Sequence, residues 1–79
     1  METRKPKKEI KFPENRKIAK QLMKGDRVVI ARYANLSAVT IRDMMMGYRR
    51  ITDNVARAIL RLMAERQELA RALEEISNQ

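Results

Sequence analysis

The sequence has no cysteine, no histidine and no tryptophan, and it holds two glycines, two prolines and three aromatic residues in 79 positions. Without cysteine there is no disulfide staple. Without histidine the commonest metal ligand and the commonest general base are both missing. No nucleophile–base pair, glycine-rich phosphate loop or metal-ligand cluster can be assembled from what remains, so neither an enzyme nor a cofactor is expected. The aromatics Phe12, Tyr33 and Tyr48 do not form the stacking platform of an RNA reader. No apolar run approaches the ~20 residues of a membrane span, and the first residues are charged, unlike a signal peptide. No membrane partner and a cytoplasmic location are therefore expected, in keeping with a cysteine-free chain.

A chain this short buries only roughly 60% of its unfolded surface. Domains below about 80 residues generally rely on a staple, a metal or a partner chain. With the first two missing, oligomerisation remains.

What is abundant is positive charge. The net charge is +8, and it is unevenly placed. Residues 1–24 carry nine Lys/Arg against three acids, residues 25–50 five against two, and residues 51–79 four against five. A basic first half with a nearly balanced tail suits a polyanionic partner, with a merely soluble basic surface as the bland alternative.

Residues 1–13 read as a flexible basic arm, interrupted by Pro6 and Pro13. Arg4, Lys5, Lys7 and Lys8 are its candidate DNA contacts, as in arms that follow phosphates or a minor groove. The alternative is a disordered tail. Glu9-Ile10-Lys11-Phe12 alternates, so a short extended piece docking by Ile10 or Phe12 is also open. Pro13 then signals a first helix over 14–24, with Ile18, Ala19, Leu22 and Met23 on one face and Gly25 ending it. Asp26 is placed to cap a second helix over 27–34. Val28-Val29-Ile30 has strand propensity, but the spacing of Ile30, Ala31 and Ala34 favours helix.

Asn35 falls where the chain must turn with positive φ, which asparagine tolerates. Leu36 is expected to enter the core, and Ser37 to cap a third helix over 38–46. There Ile41, Met44 and Met45 face inward, and Ala38, Val39 and Arg42 outward. The six methionines suit an adaptable core rather than a copper site. Thr52 caps a long fourth helix over 53–76 or slightly beyond. Ala56, Leu60 and Met63 form one face suited to packing on the other helices. Val55, Ile59, Leu62, Arg66, Leu69, Leu73 and Ile76 form a heptad-like stripe with an arginine in one core position.

The expected fold is all-α: four helices, a helix-turn-helix formed by helices 2 and 3, and a long C-terminal helix. Residues 14–64 make the DNA-binding domain, and residues 65–79 the overhanging half of the long helix. The overhang is the expected dimerisation segment, and Ile59, Leu62, Arg66, Leu69, Leu73 and Ile76 are the expected dimerisation residues. Parallel and antiparallel pairing, a frayed tail and a different protein partner all remain open.

The stretch Ile30-Ala31-Arg32-Tyr33-Ala34-Asn35-Leu36-Ser37-Ala38-Val39-Thr40-Ile41 resembles the helix-turn-helix headpiece of lac-repressor-type regulators, within the wider lambda-repressor-like class. Ala31, Ala34, Leu36, Ser37, Thr40 and Ile41 fit that pattern, and Ile51-Thr52-Asp53 up to Leu62 is similar to the capped helix that follows it. The resemblance covers residues 27–63. Asn35 replaces the usual glycine, an extra helix precedes the motif, and no small-molecule effector is implied.

Carried over by position, the resemblance implies that Ala38, Val39 and Arg42 read base edges. The first two would meet thymine methyl groups, and Arg42 guanine O6 and N7. Ser37, Thr40, Arg27, Tyr33, Arg49 and Arg50 become phosphate candidates. For each arginine the plain alternative is a solvated surface charge, and for Ser37 a cap alone. The function expected is a sequence-specific, dimeric regulator of double-stranded DNA, similar to small phage or mobile-element repressors and nucleoid-associated. The alternative is a DNA-binding accessory subunit, such as an antitoxin or an excision or recombination factor, whose last helix binds another protein.

Overall fold

A computed structural model describes residues 9–79. Arg4, Lys5, Lys7 and Lys8 lie outside the described residues. Four helices follow one another: α1 (Asn15–Ala19), α2 (Asp26–Ala34), α3 (Ala38–Met45) and α4 (Asp53–Ser77). There is no strand among the described residues, so Val28-Val29-Ile30 is helical despite its β-branched run.

The core is built where apolar periodicity places it. Ile30, Ala31 and Ala34 of α2 meet Ile41, Met44 and Met45 of α3 over Val55, Ala58, Ile59 and Leu62 of α4. Ile30, Ile41, Met45 and Val55 are wholly shielded from solvent. Burying a side chain of this size stabilises by roughly 1.5–3 kcal/mol. Thr52 caps α4 by accepting the Val55 N–H, and the Asn54 side-chain amide donates to the Ala34 carbonyl at 2.7 Å. That bond satisfies one orphan carbonyl at the end of α2.

Three expectations need correction here. The first helix spans 15–19, not 14–24. Its flanks close with tight bonds to the third residue back, including Lys17 N–H to the Glu14 carbonyl and Gln21 N–H to the Ile18 carbonyl. One turn of helix gains little from cooperativity, and no residue of it is buried. Second, Leu36 is 39% exposed and Leu60 68% exposed, so neither enters the core. Third, Asp26 does not cap α2. Its carboxylate accepts the Met23 N–H at 2.7 Å and an Arg66 guanidinium N–H at 2.6 Å. Gly25, at φ 90°, occupies the capping position instead.

This last change reorganises the chain's long-range contacts. Asp26 is only 5% exposed, and a buried carboxylate needs partners. The bonds to Arg66 and to the Met23 amide outweigh desolvation and hold its pKa below the ordinary value of 3.8. The pair ties the turn before α2 to α4. Arg66 is therefore an anchor within the chain, and Ile59 and Leu62 belong to the domain's own core. Of the stripe, Leu69, Leu73 and Ile76 remain exposed.

Residues 9–16 fold across the far end of α3. The Gly47 carbonyl accepts the N–H groups of Lys11 and Phe12, both at 3.0 Å. The Asn15 amide donates to the carbonyls of Met44 and Arg49, both at 2.9 Å.

Two substitutions test this architecture. Gly47 has φ 90°, and a Cβ there would lie 2.9 Å from the Phe12 carbonyl oxygen. Gly47→Ala should cost about 1–3 kcal/mol, read as a lower midpoint in urea. An unchanged midpoint would refute the close approach. Arg66→Met should cost about 1–3 kcal/mol at neutral pH by leaving Asp26 buried without its cation. The cost stays below that of a fully buried pair because the Arg66 side chain is 35% exposed. Because the folded pKa of Asp26 is depressed, the pair's contribution is fully present above pH 3.8 and fades as pH falls through the lower folded value. The gap between wild type and Arg66→Met should therefore narrow in acid. A gap independent of pH would rule out the pair as its source.

Candidate nucleic-acid interface

The turn between α2 and α3 is set by local bonding. Asn35 sits in the left-handed region at φ 58°, ψ 46°. The Leu36 N–H bonds to the Ala31 carbonyl at 2.9 Å, and the Asn35 N–H to the Arg32 carbonyl at 3.3 Å. This is the Schellman closure of a helix end. Ser37 follows in extended conformation, and its Oγ accepts the Thr40 N–H at 3.1 Å. The Thr40 hydroxyl lies 2.9 Å from the same Oγ. The cap directs α3 away from α2, with Ile41, Met44 and Met45 inward.

The opposite edge of α3 is open. Ala38, Val39 and Arg42 are all exposed, Val39 at 58%. The Arg42 guanidinium lies 3.9 Å from the Asp43 carboxylate and keeps more than half of its side chain in solvent. At that distance the ion pair orients Arg42 weakly and leaves its donors able to turn outward.

Arg49 and Arg50 are exposed on the loop after α3. Asn15 braces that loop through the Arg49 carbonyl, and Arg16 donates from Nε to the Met46 carbonyl at 3.0 Å. Leu36, Thr40, Met44, Arg49, Arg50 and Thr52 line one recess beside α3. Thr40, Arg49 and Arg50 thus share one recess, with Ser37 bonded to Thr40 at its rim, and Ala38, Val39 and Arg42 are not part of its lining.

Two of the expected phosphate contacts stand apart from this group. Tyr33 turns toward α4, where its hydroxyl donates to the Glu65 carboxylate at 2.5 Å and its ring lies 3.8 Å beneath the Arg61 guanidinium. The bond to Glu65 holds the phenol proton and raises its pKa. Arg27 is half-buried at the other end of α2, lining a recess with Ala19, Leu22, Met23, Lys24, Gly25 and Val28.

Sequence reasoning missed the bracing residues Asn15 and Arg16. Their partners are backbone carbonyls about 30 positions away, and no local pattern signals such bonds. It also missed Arg61 and Glu65. The structure pairs them with each other at a spacing of four and also with Tyr33.

Among the described residues no group of three or more acidic or other metal-binding side chains is placed to hold an ion. No described helix is long and apolar enough to cross a membrane. No family model matches the chain, and no curated protein or solved structure matches it either.

Ser37 can be probed as a cap separately from any ligand. Ser37→Ala should lower stability by about 1 kcal/mol, whereas Ser37→Asp, an equally good cap, should leave it nearly unchanged. Equal losses in both variants, measured by urea unfolding, would show that the cap bond is not what Ser37 contributes.

Proposed function

We propose that this protein is a sequence-specific double-stranded DNA-binding regulator that works as a dimer, with α3 as its recognition helix. One observation carries the reading. The Asn35 turn and Ser37 cap present an uncovered edge of Ala38, Val39 and Arg42, and Arg49 and Arg50 are exposed on the braced loop that follows α3. In such an arrangement the helix N-terminus and the loop arginines hold phosphates while the short edge meets bases. Arg42 is the reader with enough donors for a bidentate contact to guanine. Ala38 and Val39 suit thymine methyl groups. Arg27, Tyr33 and the basic arm, Arg4, Lys5, Lys7 and Lys8, are secondary backbone contacts in this reading. Tyr33 would have to share or release its bond to Glu65.

The proposed regulator needs no cofactor, no small-molecule effector and no catalytic group. It would act on the nucleoid, and repression would follow where its site covers a promoter. A second reading draws on the exposed Leu69, Leu73 and Ile76. It makes the chain a DNA-binding accessory subunit, of antitoxin or recombination-factor type, whose last helix engages a different protein.

Selection from a randomised duplex pool, followed by fluorescence anisotropy over a salt series, tests the proposal. A preferred duplex should emerge and lose affinity steeply with salt, by about 0.9 in log–log slope per neutralised phosphate. Arg42→Ala should weaken that duplex by about 1–3 kcal/mol and spare random duplex. Replacing Arg49 and Arg50 together with alanine should weaken all duplexes alike and reduce the slope by about 2. Equal affinity for single-stranded and duplex DNA, or a flat salt slope, defeats the DNA reading.

A further inference from the structure

We propose that the exposed half of α4 is covered by the same half of a second copy of this chain, running antiparallel. This rests on the self-association part of the reading above and adds its direction.

Leu69, Leu73 and Ile76 are 62%, 58% and 65% exposed. At 3.6 residues per turn they continue the line of Val55, Leu62 and Arg66 along one side of α4. The stripe is therefore a single face. The chain's own α2, and the turn that Arg66 grips through Asp26, cover it as far as residue 66. Beyond that it is bare.

That continuity decides the direction. A helix lying parallel and in register over Leu69, Leu73 and Ile76, followed back toward its own N-terminus, runs into the space held by α2 and the 20–25 turn. An antiparallel helix avoids this. Its own domain sits past the carboxyl end of the first α4, on the side its own stripe faces. Both bare segments are then covered without moving either domain.

Charge selects the same direction. After Arg71 the helix carries Glu74 and Glu75 and no cation, and a helix C-terminus adds partial negative charge. Parallel pairing sets these like charges side by side. Antiparallel pairing sets each acidic end beside the root of the partner's overhang. That root carries Lys24 and Arg27, and its acids Asp26, Glu65 and Glu68 are each paired with an arginine of their own chain, Arg66, Arg61 and Arg71. Met23 and Val28 flank Asp26 there, 64% and 53% exposed. Ala70 and Ala72 border the stripe, so the two axes can approach closely.

With the two-fold axis near Ala72, the middle of the overhang, the two Ile59 positions lie about 40 Å apart along the axis at ~1.5 Å per residue. The same arithmetic puts the two Arg57 positions about 45 Å apart along the axis and the two Asn78 positions about 18 Å apart. Parallel pairing puts both pairs at equal, short separations.

Because the chain has no cysteine, single introduced cysteines carry spin labels cleanly. Wild type should sediment at twice the 9.3 kDa chain mass. Leu73→Glu should sediment as a monomer with its helical circular dichroism retained. Pulsed electron–electron distances should be longer for Arg57→Cys than for Asn78→Cys by more than about 20 Å, given the offsets above. A monomeric wild type, a Leu73→Glu variant that remains dimeric, or similar distances at the two positions would each overturn the proposal. The DNA reading fails separately: a wild-type dimer that binds no duplex defeats it and leaves the pairing intact. Conversely, a monomeric chain that still prefers one duplex defeats only the pairing.

Discussion

The bond between Asp26 and Arg66 is the constraint on which the rest of the arrangement depends. A carboxylate that is 5% exposed is costly unless it is neutralised, and here an arginine forty residues later neutralises it at 2.6 Å. The bond has two structural effects. It fixes the 20–25 turn, and hence the start of α2, against α4. It also extends the domain's grip on α4 one turn beyond Leu62, the last buried apolar residue of the helix. The base of the overhang is thereby held rigidly, and α4 leaves the domain at a defined angle. At residue 66 the same helix face changes from covered to bare.

A second set of bonds does for α3 what this pair does for α4. Three local devices fix its direction at the start: the left-handed Asn35, the Schellman closure and the Ser37 cap. Its far end is fixed from outside, by Asn15, Arg16 and the two amides that converge on the Gly47 carbonyl. The segment before α1 and the first residues of α1 thus serve α3 more than they serve the core. α1 buries none of its residues, yet its Asn15 holds the loop that carries Arg49 and Arg50.

The contrast between legible and illegible features follows the range of the interactions. Asn35, Ser37 and Thr52 could be assigned from the chain alone because each acts within three or four residues of itself. The inward faces of α2 and α3 could be read because periodicity reports them directly. Asp26 had the right residue type and position for a cap, but a stronger partner forty residues away recruited it. From sequence, Arg66 looked like a flaw in a coiled-coil stripe because the stripe was read as one interface. It is two: an intrachain one that ends at Arg66 and an exposed one that begins at Leu69. Leu36 is apolar but follows a helix end whose geometry carries it outward. Tyr33 was assigned to phosphate by position alone, whereas Glu65 and Arg61 claim it from α4. Side-chain pairing between helices is what composition and spacing do not encode.

On the proposed reading, the open edge of α3 sets a limit that the rest of the molecule has to meet. One bidentate arginine contact discriminates by about 1–3 kcal/mol, and methyl contacts from Ala38 and Val39 add less. Specific DNA binding generally exceeds non-specific binding by about 4–10 kcal/mol. A single copy therefore falls short, and enlarging the edge is not open to it, because α3 ends at Met45 and its other side is core. Duplication is the remaining route. It helps only if the two edges are held at one groove spacing, since a flexible tether would spread the second contact over many registers. A helix clamped at its root by Asp26 and Arg66 and paired along its bare half is stiff enough to supply that spacing. The buried ion pair would then serve recognition by fixing where the second copy can stand, without itself approaching DNA.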